Sequence, residues 1–205
     1  MIGTSNIMNK SILLAALAAT LAAAQAQQSV PRDELLKVAF MVSLDLKQML
    51  NTPIPTDPDV KRPVAVREGD HGAMVLPETK LSADTFAKAG QEVLPLGQLW
   101  LRKLTPQCDG QAAKPEKLRV VTVETGDRSE AAVLCALGLR KGAEGKLELL
   151  VYGKDKEPLL RAPLKGISVP QENPIELAAE LQGDGARLTL RFAGKYEASL
   201  TVTSD

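Results

Sequence analysis

The sequence predicts a mainly β protein: an antiparallel β-sandwich, or a barrel-like variant, with an N-terminal helix and one short additional helix. Three observations carry this expectation. From Leu118 onward, candidate strands recur roughly every eight to fifteen residues, separated by Gly, Asp and Pro, which is the spacing of sandwiches and barrels. The last of these strands alternate apolar and polar side chains, as half-buried antiparallel strands do. Hydrophobic residues make up 44% of the 205-residue chain, enough to bury a core and too many for intrinsic disorder.

Residues 1–26 read as a signal peptide that is removed. Lys10 supplies positive charge, residues 12–24 form a short apolar run, and Ala24-Gln25-Ala26 is the small-x-small pattern accepted by signal peptidase. The run is too short to anchor in a bilayer, and no later stretch approaches the ~20 apolar residues a spanning helix needs. Met8-Asn9-Lys10-Ser11 also has the form of a leader start, so the sequence leaves Met1 and Met8 both open as the first residue. The expected location is outside the cytoplasm, periplasmic or extracellular, with residues 27–205 as a single mature domain.

Residues 33–50 are expected to form a helix. Leu35, Ala39, Val42, Leu46 and Met49 share a helical face, Asp33 and Glu34 stand in the first turn, and Asn51 and Pro53 follow the end. Where the sheet leaves it uncovered, this helix is the candidate partner-binding element. Residues 51–62 read as a Pro-rich extended connector. Short strands are expected at 64–67 and 73–76, and a short helix at 82–88 with Ser82 as N-cap. Pro95 and Gly97 interrupt the apolar stretch 93–104 and suggest a bent or edge strand. Residues 106–115 read as a polar loop. The regular β region is 118–203, with strands at 118–124, 131–140, 146–152, 157–160, 175–181, 187–192 and 196–203. The nearly unbroken apolar run from Val133 to Leu139 predicts a central strand covered on both faces. Gly183-Asp184-Gly185 and Ala193-Gly194 supply tight turns for a closing meander.

The chemistry is bounded mostly by what is scarce. Lys+Arg and Asp+Glu both number 25, which disfavours broad electrostatic capture of nucleic acid or anionic membrane. Losing Lys10 with the leader leaves the body one unit negative. Cys108 and Cys135 are the only cysteines; in an oxidising compartment they are expected to form one structural disulfide worth roughly 3 kcal/mol. They lack the C-x-x-C spacing of a redox or zinc motif.

His71, the sole histidine, sits in Glu68-Gly69-Asp70-His71-Gly72 and reads as an exposed turn residue. With Met74 it forms an H-x-x-M pair whose ligand types suit copper, whereas Met41 and Met49 read as helix packing. Glu124, Asp127 and Glu130 form an oxygen cluster without EF-hand spacing, and read as a polar hairpin loop. Neither G-x-S-x-G nor a P-loop or dinucleotide fingerprint is present in the mature chain. Only six aromatic rings occur, including Trp100, which leaves little for sugar or nucleic-acid platforms. Trp100 precedes both cysteines, unlike the immunoglobulin arrangement.

The sequence therefore assigns no catalytic, cofactor-binding or metal residues, and no cofactor. It points to an exported binding, assembly or structural module with a possible protein partner, no nucleic-acid partner and an undetermined oligomeric state. The alternatives are a small secreted hydrolase using paired carboxylates, and a periplasmic copper protein.

Overall fold

The structure is a computed structural model that describes residues 28–46, 53–125 and 128–204. The expected leader 1–26 and the end of the expected helix, 47–50, lie outside the described residues. In chain order the elements are β1 (Gln28–Ser29), α1 (Arg32–Leu46), β2 (Val64–Glu68), β3 (His71–Pro77), α2 (Ala83–Ala87), β4 (Leu94–Arg102), β5 (Leu104–Cys108) and β6 (Gln111–Ala112). A short 3₁₀ turn at Pro115–Lys117 leads into β7 (Val120–Thr125), β8 (Arg128–Lys141), β9 (Leu147–Tyr152), β10 (Leu160–Pro163) and β11 (Lys165–Gly166). The chain closes with β12 (Ile175–Gln182), β13 (Gly185–Phe192) and β14 (Tyr196–Ser204).

These strands form two antiparallel sheets, as the spacing of the strands predicted. The first has eight strands in the order β1-β2-β3-β4-β8-β9-β10, with β7 also paired to β8. The second has six, in the order β12-β13-β14-β5-β6, with β11 against β14. The closing meander is as expected: Leu190 lies opposite both Leu177 and Ala198, so their shared face turns inward.

Period-two alternation explains the core. Val75, Leu99, Leu101, Cys135, Leu137 and Val151 of the first sheet meet Ile175, Leu188, Leu190, Phe192, Leu200 and Val202 of the second. Each large apolar side chain fully withdrawn from water stabilises by roughly 1.5–3 kcal/mol. Phe86, the buried residue of α2, caps this layer by stacking on Tyr196 with ring centroids 4.9 Å apart.

The other face of the first sheet is also covered. Leu35, Ala39 and Val42 of α1 pack over Met74, Leu76, Trp100, Val121, Val123 and Leu134. Next to them, Ile54 of the connector covers Ala136, Leu150 and Tyr152. This is why Val133–Leu139 contains almost no polar residue: odd positions face the second sheet, and even positions face the helix and connector. The expected two-sided burial of that run holds. The three described members of the predicted apolar face of α1 are buried; of the remaining two, no side-chain position is described.

The connector is docked rather than merely extended. Glu78 accepts the Asp57 backbone N–H on both carboxylate oxygens at 2.9 and 3.0 Å, and Asp59 N–H reaches the Pro77 carbonyl at 2.7 Å. Buried Gln98 donates to Thr56 Oγ1 at 2.8 Å and accepts the Trp100 indole N–H at 3.2 Å, which satisfies two polar groups within an apolar layer.

Three expectations need correction. Of the bent or edge strand expected at 93–104, the edge alternative fails: residues 94–102 are interior, paired with β3 on one side and β8 on the other, with an irregularity at Pro95/Gly97. Pro95 and Gly97 are accommodated by a register shift between them, with Gly97 at φ +139°. The expected loop 106–115 contributes the end of β5 and all of β6 to the second sheet. The strand expected at 157–160 begins at Leu160.

Gly97 is the position where this arrangement is most exposed to substitution. A Cβ there would lie 2.2 Å from the Leu76 carbonyl oxygen, on a backbone conformation that L residues rarely adopt. Gly97→Ala is expected to lower stability by about 3 kcal/mol. Gly90→Ala, where a Cβ meets open space, should stay within about 0.5 kcal/mol. Urea unfolding midpoints of the two variants check this.

Candidate functional site

The β2–β3 hairpin of the first sheet and the β12–β13 hairpin of the second come close together at one site. Gly69 at φ +55° and Asp70 make the first turn, so Glu68 and His71 are direct cross-strand partners. Gly183 at φ +55° and Asp184 make the second, pairing Gln182 with Gly185. Between the hairpins is an open cleft of about 870 Å³.

Its origin lies in side-chain size. Mid-sandwich, the inward positions carry Leu, Val, Ile and Phe. Toward this site they become Ala73 on β3, Ala179 on β12 and Ala186 on β13, with Gly72 and Gly185 beside them. Small side chains at these positions leave unfilled the space that larger ones would occupy. Half-buried Val66 stands on the wall, and Leu104 and Leu188, buried members of the core, lie at the base. Leu181 continues the inward positions of β12 and stands at the lip, 54% exposed.

The polar groups stand at the mouth. Glu68 and His71 occupy the same strand face as Val66 and Ala73, and so project toward the cleft. Asp184 stands on the opposite rim. Arg67, one position off, points to the other face of the sheet and pairs with Glu34 of α1 at 3.0 Å. Asp70 at the hairpin tip is tied to Lys103 at 2.7 Å, and the hydrogen bond and charge of Lys103 hold its carboxyl below the usual range. Lys103, at φ +51°, is the single residue at which the chain leaves the first sheet and enters the second. The salt bridge therefore joins the hairpin to the corner beside the cleft.

His71 is thus not the exposed turn residue expected from the sequence. It is the half-buried first residue of β3, and the turn lies one step earlier. Met74 is three positions further along the strand and so on the opposite face, buried beneath α1. The H-x-x-M pair is not brought together. Among the described residues, no group of three or more His, Cys, Asp or Glu is placed to hold a metal ion.

Of the oxygen cluster, Glu130 pairs with Arg102 at 2.7 Å, and Asp127 lies outside the described residues. Trp100 is buried under the helix and offers no ligand platform. The carboxylates at the cleft are exposed, not enclosed in the apolar surroundings a general acid occupies. Burial does push the Glu78 carboxyl up, but Glu78 holds the connector on the outside of the first sheet.

Both cysteines are free thiols in the structure. Cys108 shares the inward parity of Leu104 and Pro106 on β5, and Cys135 that of Val133 and Leu137 on β8. Both therefore face the layer between the sheets. Burial pushes the Cys135 thiol up to about 12, with a smaller contribution from Cys108. Burial also raises Cys108, which is half-buried in a smaller cleft of about 240 Å³ beside Leu160, Ala162 and Leu200. Neither thiol is poised as a nucleophile.

No protein-family model, curated protein or solved structure matches the chain. The site is therefore read from its own geometry. Among the described residues, no helix is long and apolar enough to cross a membrane.

The sequence reading did not find the cleft, because a cavity is a property of two sheets and leaves no local motif. Its only sequence trace is the drop from large to small residues on inward positions near the turns, as in Leu188 then Ala186, or Val75 then Ala73. Filling that space distinguishes a true void from packed core. Ala186→Leu is expected to leave the melting temperature within a few degrees. Ala39→Leu, on the fully buried face of α1, should cost about 1–3 kcal/mol. Thermal unfolding of both variants reads the contrast.

Proposed function

We propose that the chain is an exported, disulfide-bridged β-sandwich module that works by binding, with the cleft between the hairpins as its ligand site. One observation carries the binding part: an open volume of about 870 Å³, walled by apolar side chains and rimmed by a few polar ones. That combination of size and lining is typical of small-molecule sites. The binding reading is preferred to a purely structural role because a sandwich built only for stability gains nothing from leaving inward positions small beside an open space.

Export rests on the order of charge, apolar run and Ala24-Gln25-Ala26, which gives a mature domain of 27–205. The bridge is supported by the inward parity of Cys108 and Cys135 on facing sheets, near enough for Cys108 to act electrostatically on the Cys135 thiol. In an oxidising compartment it would staple β5 to β8. The partner is then a small ligand in the cleft. α1 does not serve as the partner element on its apolar face, since that face is spent on the first sheet.

The export test is expression of the whole chain in a bacterium, followed by mass and N-terminal analysis of the extracytoplasmic fraction. The expected product begins at Gln27, is lighter by two hydrogens than its reduced form, and shows no titratable thiol in denaturant. A product retained with residues 1–26 attached overturns export, and two titratable thiols overturn the bridge. For the cleft, amide NMR shifts on adding 1-hexanol should concentrate at Val66, Ala73, Ala186 and Leu188, and disappear in Ala186→Leu. Shifts scattered elsewhere, or unaffected by that substitution, overturn the binding site.

A further inference from the structure

Resting on the reading of the cleft as a binding site, we infer that its ligand is an amphiphilic cation: an apolar body carrying one ammonium head. The apolar walls need an apolar partner, and Leu181, more than half exposed at the lip, extends that surface to the mouth. The head is chosen by charge. Glu68 projects into the mouth from β2, and Asp184 stands across it in the β12–β13 turn.

Among the described residues, neither Glu68 nor Asp184 forms an ion pair. The cations nearby are already committed. Arg67 points to the opposite face, to Glu34, and Lys103 is held by Asp70. Glu180, at an outward position of β12 opposite Arg187 in the cross-strand register, belongs to the outer face of the second sheet and not to the mouth. The balance left facing the ligand is two carboxylates, with the His71 imidazole beside Glu68 as a further hydrogen-bonding group. A carboxylate or phosphate head would meet these two charges unfavourably. A neutral ligand would leave them unused.

The test compares hexylamine, 1-hexanol and hexanoate, which share a body and differ in the head. Dissociation constants are read from amide shifts of the mature protein at one pH and low salt. The expected result is hexylamine binding about fivefold tighter than hexanol, the scale of one partly exposed charge pair, with hexanoate weaker than both. Glu68→Gln should erase the preference of amine over alcohol, its fold being checked by circular dichroism. Adding about 0.5 M salt should shrink the preference in the unsubstituted protein.

Equal affinity for amine and alcohol, or a preference for hexanoate, overturns the cation assignment while leaving the cleft as a site. No shifts at the cleft with any of the three overturns both. An amine preference that survives Glu68→Gln unchanged overturns the assignment of the head to the mouth.

Discussion

Everything in this molecule depends on one strand being apolar on both faces. β8 runs through the first sheet with Cys135, Leu137 and Leu139 against the second sheet, and Leu134 and Ala136 against the helix and connector. A strand buried on both sides needs a layer above and a layer below, and α1 with residues 53–62 supplies the one that the second sheet does not. The hydrophobic free energy of the fold is thus divided between two interfaces that share a single sheet. Disrupting either leaves a row of large apolar side chains on that sheet facing water.

Most of this was legible from local pattern. Alternation in Leu188, Leu190 and Phe192 marks the inner face of β13, and the unbroken run at 133–139 marks β8 as doubly covered. The periodic spacing of Leu35, Ala39 and Val42 marks the covered face of α1. What local pattern misread was whatever pairing decides. Pro95 and Gly97 look like an edge because each weakens a ladder locally. Yet Gly97 at positive φ allows a bulge that lets β4 pair on both sides. The segment at 106–115 looks like a loop because its polar residues hide a short β5–β6 hairpin, whose first strand joins β14 through Leu104–Pro106, almost a hundred residues away.

The cleft was illegible for a related reason. His71 sits among glycines and charges that read as a turn, and only the register of Glu68 with His71 shows that the turn is the two residues between them. Once that register is known, parity sends Glu68 and His71 inward, and Arg67 and Met74 outward. One slip of register would exchange the two sets. The distinction between a ligand site and a helix-covering surface is therefore held by a two-residue turn.

The placement of α1 has a consequence for how the chain assembles. Leu35 belongs to the same buried cluster as Met74, Trp100 and Leu134, so the first helix finds its full cover only when a strand about a hundred residues downstream is in place. Between them come the β2–β3 hairpin, β4, an excursion into the other sheet, and the return through β7. Contacts so distant in sequence lose much chain entropy before they gain burial, which makes assembly slow. The helix nearest the start of the body is thus among the last pieces to find its full set of neighbours.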